Sequence, residues 1–160
     1  MNISPPARAL PKTTACSWAS RFDMFAATVL EHDIEVQMSS ELRHVDRSVE
    51  LLREFLVRHG AENRFFDVAL VTREALNNAI LHGNGADPAK EVLWRLKHRQ
   101  GKLRLYVKDQ GHGFDWQAWL RRSSDPEAES GRGHEIFRLL TTRFSHNRCG
   151  NALCVEIPLK

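Results

Sequence analysis

Two side chains in the middle of the chain could do chemistry together. Glu74 and Asn78 lie four residues apart in the stretch from Val71 to Asn84, whose apolar residues recur at helical spacing. Residues four apart lie one turn above each other on the same helix face. A carboxylate beside an amide oxygen can accept a proton and hold a hydrated magnesium ion. Taken alone, the pair is better explained as a solvated helix face, but two glycine motifs further along favour the chemical interpretation.

The first glycine motif, Asp-Gln-Gly-His-Gly-Phe, occupies residues 109–114 at the end of an alternating strand pattern. Asp109 can accept a hydrogen bond from an exocyclic amine such as that of adenine. Gly111 and Gly113 allow the backbone to approach a flat base closely. Turns of this composition are common, so the motif predicts a base-binding pocket only in combination with others.

The second motif, Gly131-Arg132-Gly133, opens a predicted helix. The free backbone N–H groups of a helix N-terminus bind phosphate, and Arg132 can add charge-assisted hydrogen bonds. The alternative is an ordinary hinge before a helix. Residues 115–130 separate the two motifs, and their Ser, Asp, Pro and Glu content predicts a mobile lid with a short helix at 116–121.

The elements that position these motifs follow from apolar periodicity. Their order is strand, helix, helix, strand, strand, helix, strand, strand. We therefore predict an α/β two-layer sandwich, with a mixed, largely antiparallel sheet covered on one face by helices. The predicted elements are a strand His32–Met38, a helix capped by Ser39 or Ser40 and ended by Gly60, a helix from Asn63 that carries the Glu74–Asn78 pair, strands Glu91–His98 (apolar on both faces) and Leu103–Asp109, a helix Gly133–Thr142 with Ile136, Leu139 and Leu140 inward, and a hairpin of Phe144–Arg148 and Ala152–Leu159.

Composition limits the function classes. The 160 residues suffice for one domain, which we place at residues 31–160. Residues 1–30 are interrupted by three prolines and are predicted to form a flexible tail, with an optional short helix around residues 22–30. The net charge of +3 is mild and the basic residues are interspersed with acids, which argues against direct nucleic-acid binding.

The cysteines and the apolar runs indicate a cytoplasmic protein. An odd count of three cysteines without CxxC spacing argues against a disulfide framework or a structural zinc site, and suits a reducing compartment. The sequence has no apolar run long enough to cross a membrane.

In order and spacing, the three motifs resemble the N, G1 and G2 boxes of the Bergerat-type ATPases: gyrase subunits, heat-shock chaperones, histidine kinases and mismatch-repair proteins. More specifically, they resemble those of the single-domain serine/threonine kinases that act as bacterial anti-sigma factors. The resemblance covers residues 34–159. It rests on residues 74–84, 109–115 and 131–133, on Asp125-Pro126, and on Asn147 with Gly150-Asn151.

The resemblance implies an ATP- and Mg²⁺-binding Bergerat fold and a role for each matched residue. Histidine kinases typically carry Asn at the position of Glu74, and this chain lacks a helical dimerisation region with a phospho-accepting His. His44, His59 and His82 are therefore interpreted as surface or packing residues. The implied site residues are Glu74 as general base, Asn78 as magnesium ligand, Asp109 at the adenine with Gly111 and Gly113 shaping its pocket, and Gly131, Arg132 and Gly133 along the phosphates.

The implied function is a serine/threonine kinase in a partner-switching pathway. Such a protein phosphorylates a small antagonist protein and sequesters a sigma factor; a homodimer is left open. Two alternatives remain at this point: an ATP-binding regulatory module with little kinase activity, and a signalling-complex kinase whose target is not a sigma factor. The chain departs from the family pattern at His134 and Glu135, which replace apolar residues, and at 152–154, where many relatives place a threonine near the adenine.

Overall fold

The computed structural model describes residues 23–115 and 132–159, and of residues 132–134 only the backbone. Within these ranges the strands form one six-stranded sheet in the order β1-β2-β3-β4-β6-β5, and every neighbouring pair is antiparallel. This confirms the predicted α/β fold. The elements are β1 (Phe25–Val29), β2 (Asp33–Ser39), α1 (Arg43–Arg58), a 3-10 turn (Glu62–Arg64), α2 (Phe65–Asn77), a π-helical turn (Asn78–Gly83), β3 (Glu91–Arg99), β4 (Lys102–Lys108), α3 (Arg132–Leu140), β5 (Arg143–His146) and β6 (Ala152–Pro158).

The core lies between one face of this sheet and the helices. The predicted alternation on β2 is confirmed, because Ile34, Val36 and Met38 are all buried. On β3, Trp94 is fully buried but its neighbour Leu93 is only half-buried. Apolar residues on both faces of β3 predict that both faces are covered, but in the structure only the face of Val92, Trp94 and Leu96 is fully buried. Among the described residues, no helix is long and apolar enough to span a membrane.

The start of the chain differs from the prediction. Phe25 to Val29 form the edge strand β1, in which Phe25 pairs with Met38 and Val29 with Ile34. The short helix predicted around residues 22–30 is therefore wrong for this segment, and the flexible tail does not include β1. The edge of β2 supplies unpaired backbone groups, and pairing with β1 satisfies them. Residues 1–22 lie outside the described part of the chain.

The predicted cap of α1 is also wrong. Helix α1 begins at Arg43 without a side-chain cap. Ser39 and Ser40 are buried at the end of β2, and their hydroxyls form hydrogen bonds there. Ser39 Oγ lies 3.0 Å from His44 Nε2, and Ser40 Oγ donates to the Lys90 carbonyl at 3.0 Å. Gly60 ends α1 as predicted, with φ +62°.

Helix α3 presents a different face to the core than predicted. Phe137 is buried and its ring lies 5.9 Å from that of Phe144, whereas Leu139 is 81% exposed. Two residues along an α-helix amount to about 200° of rotation, so the two side chains point to opposite sides. The prediction of an inward Leu139 is wrong; Ile136 and Leu140 do pack against the core. The short helix and lid predicted between residues 116 and 130 lie outside the described residues.

Candidate functional site

The structure brings Glu74 and Asn78 together. Asn78 Nδ2 donates a hydrogen bond to Glu74 Oε1 at 3.0 Å. Both side chains line a cavity of about 470 Å³. The cavity lies between α2, the loop of residues 109–113 (the DxGxG loop) and the β5–β6 hairpin. The predicted juxtaposition of a carboxylate and an amide is thus present, while the chemical role of each stays a prediction.

The helix that carries this pair does not end as an ordinary α-helix. From Asn78 to Gly83 it widens into a π-helical turn, closed by the Asn84 N–H donating to the Ala79 carbonyl at 2.9 Å. Such turns are rare and frequently mark functional sites. The widened turn carries Gly83 against Asp109: a Cβ at Gly83 would lie 2.4–2.7 Å from the three carboxyl atoms. A side chain at position 83 would therefore displace the acidic residue.

Asp109 lines the cavity. It is 8% exposed, and burial raises the pKa of its carboxyl above the ordinary value. The Gly111 N–H donates to Oδ1 at 2.8 Å, and the Asp109 N–H donates to the Asn151 carbonyl at 3.0 Å. The carboxyl group is thus fixed in a buried position, where it can accept a hydrogen bond from a base amine.

The glycines of the DxGxG loop lie in direct backbone contact with neighbouring loops. A Cβ at Gly111 would lie 2.0 Å from the Gly83 carbonyl oxygen. Gly113 has φ +75°, and its Cβ would lie 1.8 Å from the Cys149 carbonyl oxygen. Only glycine allows this close approach. The loops consequently form one continuous wall of the cavity.

Asn84 directly follows Gly83, which lines the cavity, and sequence reasoning missed its structural role. It is 2% exposed, and its side chain connects three segments of the chain. Its Nδ2 donates to Ser40 Oγ at 2.6 Å and to the Glu91 carbonyl at 2.9 Å, while its Oδ1 accepts from the Gln110 N–H at 2.8 Å. The sequence predicts only a turn residue here, because an Asn after Gly carries the same signal whether it is buried or exposed.

His146 lines the cavity and was also missed by sequence reasoning. Its ring lies 5.3 Å from that of Phe114 at an angle of 77°. Burial lowers the pKa of His146 to about 4, so the imidazole is neutral at pH 7. His82 is exposed and also lines the cavity. The apolar lining is completed by Ala75, Ala79, Val107, Phe137, Ala152 and Leu153.

The Gly-Arg-Gly motif is described only in part. Arg132 and Gly133 are the first two residues of α3, which agrees with the predicted helix start, but nothing is described of their side chains. Gly131 lies outside the described residues. The role of all three at the phosphates remains a prediction.

These features fit an adenine nucleotide with magnesium. Cavities of about 300–1,000 Å³ are typical of small-molecule sites, and this one has apolar walls with a few fixed polar groups. Asp109 supplies a buried acceptor for an amine. Glu74 and Asn78 supply hard oxygen atoms, the ligands that magnesium prefers.

Comparison with known proteins gives one family match. Residues 38–157, which are 120 of the 160 residues, match the family profile of the histidine kinase-like ATPase domain. No curated protein matches the chain.

Proposed function

We propose that this chain, which belongs to the histidine kinase-like ATPase domain family and is thereby an ATP-binding domain, is a protein serine/threonine kinase acting as an anti-sigma factor. It phosphorylates a small antagonist protein and sequesters a sigma factor, exchanging partners with phosphorylation. The observation that carries the proposal is Glu74, a carboxylate in the cavity beside Asn78.

Glu74 is proposed to act as the general base. Phosphoryl transfer depends mainly on positioning and electrostatics, and a base orients the acceptor hydroxyl. The hydrogen bond from Asn78 Nδ2 to Oε1 at 3.0 Å holds the Glu74 carboxylate at the cavity wall. From there it can accept the proton that a serine or threonine hydroxyl loses. An asparagine, typical of histidine kinases at this position, has no carboxylate to do so.

Asn78 is proposed to hold the magnesium ion. Its amide nitrogen is engaged by Glu74, so the amide oxygen is the atom that a hard cation would take. Bound Mg²⁺ would neutralise charge on the nucleotide phosphates. Asn78 therefore fixes the position of the cation within one helical turn of the proposed base.

Asp109 is proposed to select adenine. In its ionised form the carboxylate can only accept hydrogen bonds, which suits the exocyclic amine of adenine. A carbonyl at the same place, as in guanine, would set two acceptors against each other in a buried environment. The proposal therefore includes a preference for ATP over GTP.

A protein substrate is supported by apolar side chains on the outer surface of α2 and α3. Phe66 and Leu139 are more than four-fifths exposed, and Leu70 is also exposed. Helices α2 and α3, which carry these side chains, are in contact with each other. Large apolar side chains that are exposed on neighbouring helices are available for protein–protein contacts. The antagonist and the sigma factor are proposed as the partners that would use such contacts.

Pull-down of partners tests this proposal. The full chain is used as bait in an extract of its native cell, with and without Mg-ATP, and labelled ATP is then added to the recovered complexes. The proposal predicts label on a serine or threonine of a small protein, and exchange of that protein for a sigma factor. ATP-dependent binding without transfer would instead identify a regulatory module, and transfer without a sigma factor would identify a kinase of another pathway.

A further inference from the structure

Three histidines from separate elements meet at the end of the sheet away from the nucleotide cavity. His32 lies in the β1–β2 turn, His59 directly follows α1, and His98 is the last residue but one of β3. Between His98 and Glu91, whose N–H binds Gln110 near the cavity, β3 advances seven residues, or about 23 Å at about 3.3 Å each. The histidine cluster is therefore separate from the proposed ATP site.

The ring nitrogens of the cluster already have a spacing suited to one metal ion. Across the three residues, the potential ligand nitrogens all lie within 4.8 Å of one another. His59 Nδ1 and His98 Nδ1 are 3.3 Å apart. Two nitrogens bound to a tetrahedral zinc ion at about 2.0–2.1 Å lie about 3.3 Å from each other. His32 is half-exposed in a turn, so a small rotation suffices to bring its ring nitrogen to the same distance.

A backbone contact fixes one of these rings in the orientation that metal binding requires. His59 Nε2 lies 2.8 Å from the Glu31 carbonyl oxygen. A carbonyl only accepts, so Nε2 carries the proton, and in the neutral ring the lone pair is on Nδ1, which faces His98. Metal-bound histidines commonly donate their second N–H to a backbone carbonyl in this way. The ring also packs on Phe55, with centroids 4.4 Å apart.

We propose that His32, His59 and His98 bind one Zn²⁺ ion, which ties the β1–β2 turn and the end of α1 to β3. Imidazole nitrogen suits zinc and related transition metals, whereas magnesium prefers oxygen. The carboxylate of Glu31, with Oε1 3.6 Å from His32 Nε2, or a water molecule completes the tetrahedron. This site is independent of the cysteines and of the proposed kinase activity.

The first test is binding of zinc alone. The untagged full chain is stripped with a chelator and titrated with zinc chloride in a calorimeter, without nucleotide. The expected result is one ion per chain, a higher melting temperature, and an X-ray absorption spectrum with three imidazole nitrogens at about 2.0–2.1 Å. Magnesium chloride should produce none of these effects at this site. Folded wild-type protein that takes up no zinc would overturn the proposal.

Matched variants locate the ion. His32→Ala changes a half-exposed turn residue and should lower the zinc affinity at least about 10-fold, because it removes a ligand. Asp23→Asn is the control, since Asp23, Glu41 and His44 form a second group of potential ligands. Circular dichroism verifies that both variants are folded. Affinity lost in Asp23→Asn, or retained in His32→Ala, would contradict the assignment.

Discussion

Substitution of Gly113 by alanine tests whether the DxGxG loop and the β5–β6 hairpin form one wall of the cavity. At φ +75°, an alanine costs about 1–2 kcal/mol in backbone strain. In addition, the new Cβ would lie 1.8 Å from the Cys149 carbonyl oxygen. Real Cβ atoms stay at least 3.0 Å from such an atom, so the two loops must separate by 1.2 Å (3.0 − 1.8).

Gly60 provides the matched control. Its φ is +62°, but a Cβ there meets nothing within 4 Å, so Gly60→Ala costs only the backbone strain. Displacing a packed loop costs a further 1–3 kcal/mol or so. We therefore expect Gly113→Ala to lower the free energy of unfolding by about 2–5 kcal/mol, against about 1–2 kcal/mol for Gly60→Ala.

The assay combines urea unfolding with calorimetric titration of Mg-ATP. Gly113→Ala should also lose ATP affinity, since the displaced loop carries Asp109, whereas Gly60→Ala should bind ATP as the wild type does. Equal destabilisation by the two substitutions, with unchanged ATP affinity in Gly113→Ala, would refute the contact between the loops.

Three further variants test separate parts of the site. Asn78→Ala should weaken Mg-ATP binding and remove its dependence on magnesium while the fold is kept; unchanged calorimetric affinity would exclude Asn78 from the site. Asn84→Ala removes the three hydrogen bonds of a buried side chain, at about 1 kcal/mol each, so urea unfolding should show a loss of about 3 kcal/mol, against almost none for the exposed control Asn63→Ala. The pKa of His146 falls from 6.5 in the unfolded chain to about 4 in the fold, so the native state binds fewer protons than the unfolded state. The free energy of unfolding should therefore have its full value above about pH 6.5 and decline by up to about 3 kcal/mol towards pH 4. His146→Gln should make this decline smaller, and an identical pH dependence in both proteins would rule out His146 as its source.

Periodicity predicts the buried elements well, because burial of one face requires apolar residues at regular spacing in the sequence. Strands β2 and β4 alternate as expected, and a separation of four residues suffices to bring Glu74 and Asn78 together. Strand β1 leaves a weaker mark: it is an edge strand whose residues after Phe25 are all exposed, so it lacks a repeating apolar face.

Contacts between distant segments account for what the sequence could not predict. Helical spacing does not distinguish an α-helix from the π-helical turn that carries Gly83 to Asp109. The sequence indicates only a turn residue at Asn84, because the three hydrogen-bond partners of its side chain belong to segments that meet only in the folded chain. The same holds for the three-histidine cluster at the other end of the sheet.

The rate of phosphoryl transfer by Glu74→Gln tests most directly the central claim that Glu74 is the general base. Glutamine keeps the size of the side chain and can still accept the hydrogen bond from Asn78, but it cannot take up a proton at neutral pH. Labelled ATP is supplied with the antagonist recovered by pull-down, and ATP affinity is measured in parallel. Glu62→Gln, on an exposed glutamate of the 3-10 turn, serves as the control. We expect Glu74→Gln to bind ATP nearly normally and to transfer label about 10²–10⁴-fold more slowly, with Glu62→Gln unchanged. Transfer at the wild-type rate in Glu74→Gln would contradict the assignment of Glu74 as the base of a protein kinase.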